Sequence, residues 1–325
     1  MHPKKLNGWT QEISPFHKGE QEIQTRLGLR DKMENIGRRF IRTYLPDQHR
    51  QFYEQLPFLL VGSVDEGGRP WASAIAGRPG FITSPNDVTL AIKARPLAGD
   101  PLNNNLRENA NIGLLGIELE TRRRNRMNGK IKAVEEDGFA IAVAQSFGNC
   151  PQYIQKRQFH WLPERLAEIS PAAQHLAQFT ESMKALIAQA DTFFIATSYA
   201  DRSHDANQGV DVSHRGGRPG FVRIESDRAF TFPNFTGNNF YNTLGNILLD
   251  CRVGILFPNF DAGHLLSITG RAEIIWEGET LKAFQGAEQL VRITADKIVY
   301  LPDALPFRWD FQESSPSLKL TGNWH

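Results

Sequence analysis

The chain predicts a mainly β protein with flanking helices, built from two related halves that each form a small barrel or sandwich. Three observations predict it. The pentapeptide GRPGF occurs twice, at 77–81 and 217–221. Short apolar runs punctuated by Gly, Pro, Asn and Asp dominate both halves, the texture of strands and turns. The copies also keep one register: Arg218 follows Arg78 by 140 residues, Gly254 follows Gly113 by 141, and Gly270 follows Gly129 by 141. A period that long is duplication of a whole domain, since solenoid repeats run to roughly 20–50 residues. Two such halves are expected to face each other across a pseudo-twofold interface, as subunits of a symmetric dimer do.

From Glu20 to Tyr44 the residues Ile23, Leu27, Met33, Ile36, Phe40 and Tyr44 recur near helical spacing, which predicts an N-terminal helical arm ending at Pro46. The strand candidates of the first half are FLLVGSV, WASAIAG, VTLAIKA, NIGLLGIEL and FAIAVAQSF. A connector helix is predicted after Ser170 as cap and Pro171 as first residue, with Leu176, Phe179, Met183, Leu186 and Ile187 down one side. FFIATSY, GFVRI, AFTF, RVGILF and LLSITGRAEIIW are the strand candidates of the second half. The expected division is an arm at 1–50, a first barrel at 51–160, a helical connector at 161–190, and a second barrel with a tail at 191–325.

Composition narrows the function classes. A net charge of +1 gives no overall field for nucleic acid or an acidic membrane, so any anion site must be local. The two cysteines, Cys150 and Cys251, are far apart and indicate neither a zinc knuckle nor a disulfide framework. No apolar run approaches the roughly 18 residues that span a bilayer, and the N-terminus has no apolar signal core. The expectation is a soluble cytoplasmic protein.

The halves differ where a ligand site would lie. Arg218 and Arg223 are five apart, which on a regular strand puts them on opposite faces, although the Gly-Phe step between them can bend it. The next loop supplies Asn234, Thr236, Gly237, Asn238 and Asn239. Two guanidiniums and a polar glycine turn suit a phosphate. The plainer reading makes the arginines rim residues in surface ion pairs and NFTGNN a hairpin turn. In the first half Thr83 stands in place of Arg223, and ARPLAGDPLNNN replaces the polar loop.

The run RPGFVRI…FTFPNFTGNNFYNTLGNILLDCRVGILFPNF resembles the pyridoxamine 5'-phosphate oxidase superfamily, the split β-barrels that bind FMN. The resemblance extends over about 58–157 and 193–276 and implies two tandem split β-barrels forming an intrachain pseudo-dimer. The family's first phosphate motif is an arginine followed five residues later by lysine; Arg218 and Arg223 stand in those places. Its Ser-Arg-Lys turn falls at Asn238, Asn239 and Phe240, where the charge is lost. QSFGNCPQYIQKR resembles a His-Cys-Pro-Lys stretch of flavin-binding relatives, with Asn149 for the histidine and Gln152 for the lysine. In the family the opposing subunit carries a glutamine to the flavin five residues before a glycine. Here that count gives Arg124 before Gly129 and Leu265 before Gly270. The resemblance thus implies one composite FMN site per chain, with phosphate on the second barrel and ring contacts from the first. The cofactor residues expected are Arg218, Arg223, Asn238, Asn239, His214 and Arg124.

Other motifs carry less. On a strand, Arg122, Arg124 and Arg126 of TRRRNR share one face; the basic run reads as an ion-paired strand face or as an offset to FMN charge, not as a nucleic-acid site. Asp211, Ser213 and His214 in VDVSHRGG lack a nucleophile elbow, and His214 reads as a loop residue, either beside the flavin or solvated. No histidine spacing indicates a metal. Cys150 is either a small buried filler or a reactive thiol, and LPFRWDF either packs its tail on the barrel or brings Arg308 and Trp309 over a flavin edge.

The function expected is electron or hydride transfer through flavin N5, with no residue singled out as acid or base. The altered turn and the ending SLKLTGNWH, in place of the family's Arg-Leu-Ala-Pro, argue against the vitamin B6 enzyme itself. The partner expected is a small-molecule substrate or an electron donor, either a nicotinamide nucleotide or a reductase, and a homodimer is left open. A non-catalytic flavin-binding or partner-binding module is the alternative, and haem or a deazaflavin would also suit such a barrel.

Overall fold

The computed structural model describes residues 8–162, 172–203 and 205–324. The arm is three helices: α1 (Lys18–Arg26), α2 (Arg30–Phe40) and α3 (Asp47–Glu54). The single helix expected over 20–44 is broken at Gly28, whose φ of 69° is the left-handed stop that glycine adopts without a Cβ penalty. Helical spacing on either side hides that stop. Pro46 opens α3 as its N-cap.

The first half contains β1 (Phe58–Val64), β2 (Pro70–Ala76), β3 (Ile82–Asn86), β4 (Thr89–Ile92), the short α4 (Leu102–Asn105), β5 (Asn111–Glu118), β6 (Arg123–Glu135) and β7 (Gly138–Gly148). They form one antiparallel sheet in the order β2-β1-β5-β6-β7-β4-β3. After β8 (Lys156–Trp161), β9 (Gln174–Leu176) and α5 (Glu181–Gln189) come the strands of the second half. These are β10 (Thr192–Tyr199), β11 (Gly209–Gly216), β12 (Arg223–Ser226), β13 (Ala229–Phe235), β14 (Arg252–Pro258), β15 (Leu265–Ile275) and β16 (Ala287–Leu301). Helix α6 (Asn242–Leu249) precedes β14 and α7 (Glu279–Lys282) precedes β16; β17 (Phe307–Glu313) follows and pairs with β8.

The second sheet runs β11-β10-β14-β15-β16-β13-β12, the same path as the first with each strand replaced by its counterpart. The registers agree: Gly113 pairs with Gly62 and Asn128, while Gly254 pairs with Ala196 and Thr269. The chain is two tandem split β-barrels.

Strand alternation explains why β1 and β10 are buried on both faces. Leu59 and Val61 point into the first barrel's own core, while Phe58 and Leu60 join a third core between the barrels, with Leu115, Phe194, Val212 and Leu256. Each fully buried side chain of this size contributes about 1.5–3 kcal/mol. The interface is close enough to require glycine at equivalent points. A Cβ on Gly113 would stand 2.4 Å from Val210 O, and one on Gly254 would stand 2.5 Å from Trp71 Cα.

The connector departs from expectation. Thr180 caps α5, its Oγ1 accepting from Met183 N at 3.3 Å, and Leu176 ends a strand paired with β16. Ser170 and Pro171 lie outside the described residues. Phe179, Met183 and Ile187 do enter the second barrel's core. At the C-terminus LPFRWDF packs inward: Trp309 is buried between Phe58, Phe260 and Phe307, and Arg308 is ion-paired with Asp303. Trp309 therefore belongs to the interface core. No helix among the described residues is long and apolar enough to cross a membrane.

Candidate functional site

A cleft between the barrels encloses about 910 Å³ of space free of protein atoms, its open mouth included. The first half contributes Arg124 and Arg126 from β6 and the segment after β7, with Asn149, Cys150 and Tyr153. From the second half come Ser213, His214 and Arg215 of β11, the loop from Thr236 to Tyr241, and the first turn of α6.

Arg124 and Arg126 are two apart on β6, so both face the cleft. Arg126 Nη1 donates to Asp211 Oδ1 at 3.2 Å, and its other terminal nitrogen donates to the Ser213 hydroxyl. Asp211 also accepts from the Asn128 and Asn246 amides. Arg124 Nε donates to the Cys150 carbonyl at 2.7 Å, and Arg215 Nη1 donates to Asn234 Oδ1 at 2.7 Å. Among the described residues neither Arg124 nor Arg215 has a carboxylate partner.

The like charges show in the protonation equilibria. Burial, then Arg126, pushes Arg124 down to about 10; burial, then Arg126 and Arg124, pushes Arg215 down to about 9. Both stay cationic at neutral pH. Burial and the guanidiniums of Arg124, Arg215 and Arg157 hold His214 well below the usual histidine range, so it is neutral. His214 lies on β11 opposite Phe194, not in a loop, and is 6 % exposed. Among the described residues, His214 Nε2, Arg215 Nε and Arg126 Nε are buried without a protein partner. Buried polar nitrogens of this kind call for a hydrogen-bond partner from outside the chain.

The mouth is strained. Asn239, Tyr241 and Tyr153 have φ of 61°, 62° and 63°. Asparagine tolerates that region, but a tyrosine there is held against its preference. Asn238 Oδ1 turns the loop by accepting Phe240 N–H at 3.1 Å. Tyr153 ties the two halves, its hydroxyl donating to Thr236 O at 3.0 Å.

Of the residues expected to hold a cofactor, Arg124, His214, Asn238 and Asn239 line the cleft. Arg218 and Arg223 do not. The turn at Gly220, with φ of 91°, bends the chain before β12, and both arginines meet the C-terminal tail. Arg218 Nη2 donates to Leu318 O at 3.0 Å, and Arg223 stacks 4.0 Å from the Trp324 ring centroid and pairs with Glu225. Sequence reasoning missed Arg215. Its signal was of the same kind as for Arg223, an arginine that the first copy lacks: it stands in place of Ile75, which pairs with Leu59 as Arg215 pairs with Phe193.

A family model described as pyridoxamine 5'-phosphate oxidase matches twice, over residues 45–171 and 179–310. No curated protein matches the chain. Among solved structures, Group A Streptococcus HupZ is similar at 20 % identity with a TM-score of 0.31, covering 39 % of this chain and 98 % of its own. A candidate pyridoxamine 5'-phosphate oxidase of Lactobacillus delbrueckii is similar at 13 % identity with a TM-score of 0.30, covering 38 % of this chain and 94 % of its own. At those scores neither likeness bears on activity.

Proposed function

The chain belongs to the pyridoxamine 5'-phosphate oxidase family on both its halves, and from that premise we propose that it holds one FMN noncovalently in the cleft between its barrels and acts as an oxidoreductase. The observation that carries this is the charge of the cleft. Three guanidiniums, of Arg124, Arg126 and Arg215, line it, and among the described residues Asp211 is the one carboxylate ion-paired with any of them; His214 is neutral, and three buried nitrogens lack a hydrogen-bond partner. A phosphate dianion balances that excess, and a flavin ring system offers acceptors to buried N–H groups. The residue set therefore fits FMN.

Arg124, Arg126, His214, Arg215, Asn238 and Asn239 would hold the group. Bound FMN supplies electron or hydride transfer through its N5. The residues of the chain bind and orient it: arginines neutralise the phosphate, the Asn238-Asn239 turn offers amides, and the barrel walls exclude bulk water. His214 is held neutral, so it serves as a hydrogen-bonding group rather than a proton donor at neutral pH.

A single site per chain is supported by the opposite side of the pseudo-twofold. Register places Leu265 and Ser267 there in place of Arg124 and Arg126, and Ala74 and Ile75 in place of His214 and Arg215. Phe307 and Trp309 pack into the same apolar cluster as Leu265 and Ala74.

Titration of the purified protein with FMN tests this, read by flavin fluorescence quenching. The expected result is saturation at one FMN per chain, followed by anaerobic bleaching of the flavin band with a reduced nicotinamide nucleotide or a reductase. Absence of binding, or two flavins per chain, would overturn it. Bound flavin that no donor reduces would leave a non-catalytic flavin-binding module.

A further inference from the structure

Helices α1 and α2 of the arm lie outside both stretches that the family model matches, yet α1 packs against α6, whose first turn lines the cleft. Helix α1 packs on α6 so closely that a Cβ on Gly19 would stand 2.1 Å from Gly245 O. His17 caps α1: its Nδ1 accepts Gly19 N–H at 3.2 Å, and its own N–H donates to Glu20 Oε2 at 2.8 Å. This capping box uses only one oxygen of Glu20. The other accepts the side-chain amide of Asn242, a residue lining the cleft.

Neighbouring contacts fix the same loop. Gln24 Nε2 donates to Phe240 O at 3.3 Å, and the Phe16 ring meets Phe240 edge-on at 5.1 Å. Glu20 is 2 % exposed. Burial, then the nearby Asp211 carboxylate, pushes its carboxyl well above the usual range. A buried acid whose second oxygen holds a side chain of the cleft lining has a use beyond capping a helix.

We propose that Glu20 is a positioning residue of the cleft: delivered by the arm, it fixes Asn242 at the start of α6 and with it the preceding loop from Thr236 to Tyr241 in the shape that receives the ligand. The proposal rests on the FMN reading above. It makes the arm a third part of a site otherwise built from the two barrels.

The test uses the full chain with Glu20→Ala, Glu20→Gln, Asn242→Ala and the Glu20→Ala/Asn242→Ala pair. FMN affinity and backbone hydrogen exchange over residues 238–244 of the ligand-free protein are both measured. Glu20→Ala is expected to weaken FMN about tenfold, as the loss of a buried hydrogen-bond partner does. Glu20→Gln should stay within about threefold, because its carbonyl can keep one partner and the Asn242 amide can turn over. The double variant should bind no more weakly than Asn242→Ala alone, and exchange over the loop should quicken in Glu20→Ala. Unchanged affinity in Glu20→Ala, losses that add in the double variant, or failure of glutamine to rescue would each overturn the proposal. Asn242→Ala leaves the capping box intact and carries the test should Glu20→Ala not fold. If the wild-type protein takes no FMN, the FMN reading fails and hydrogen exchange decides alone: faster exchange upholds the positioning role and unchanged exchange rejects it.

Discussion

Arg126 of the first barrel reaches Asp211 of the second, Nη1 to Oδ1 at 3.2 Å, with the two side chains only 5 % and 8 % exposed. Removing one partner of such a pair leaves a buried charge uncompensated, which costs about 3–5 kcal/mol. Arg126→Met should therefore lower stability by that order in urea unfolding. Arg126→Met combined with Asp211→Asn should recover part of the loss, because no charge is then stranded.

The cleft guanidiniums that lack a carboxylate partner among the described residues should dominate ligand affinity. Arg124→Ala and Arg215→Ala should each weaken FMN roughly ten- to hundredfold, the worth of a charge-assisted hydrogen bond. Arg218→Ala and Arg223→Ala should change it by less than about threefold, since those side chains lie outside the cleft, against Leu318 O and the Trp324 ring. Fluorescence titration of the four variants decides between the two pairs.

Asp100 gives a pH signature. Its carboxyl is buried, one oxygen accepts from the Ser73 hydroxyl and Leu102 N, the other has no partner, and burial pushes it up to about 6. The folded state then binds a proton that the unfolded state, near the ordinary value of 3.8, has released. Stability from this group is present below about pH 4 and is lost as pH rises through about 6. Asp100→Asn should be the more stable protein above pH 6, by about 1–3 kcal/mol, with the advantage vanishing below pH 4. Because His17 and His49, each held down at about 4 chiefly by burial, titrate in the opposite sense, the difference between wild type and variant is what must be followed.

Cys150 offers a check on where the ligand sits. It lines the cleft and is partly exposed, whereas Cys251 lies outside it. Saturating FMN should slow alkylation of Cys150 by iodoacetamide and leave Cys251 unaffected, as read by peptide mass analysis. Equal protection of both thiols would point to a global change instead.

Duplication was legible because register is a property of sequence spacing: Gly113 and Gly254 keep their interval, and both stand where the barrels touch. Strand runs such as FLLVGSV and RVGILFP were legible because burial on both faces demands continuous apolar residues. The arm misled, since apolar spacing continues through Gly28 while the backbone does not.

The site was half legible. Arg124, His214, Asn238 and Asn239 differ from their counterparts in the first copy or stand at family positions, and they line one cleft. Arg218 and Arg223 carry the same kind of signal, but no local rule tells that the tail from Pro316 to Trp324 folds back on them. Nor does spacing reveal that Glu20 reaches Asn242, 222 residues away.

The sequence by itself determined the two-barrel architecture, because alternation, turn residues and a repeated register act locally and add up along the chain. Tertiary structure alone decided which arginines line the cleft. Whether a guanidinium faces the cleft or the C-terminal tail depends on segments far apart in sequence, and that is fixed only when they pack.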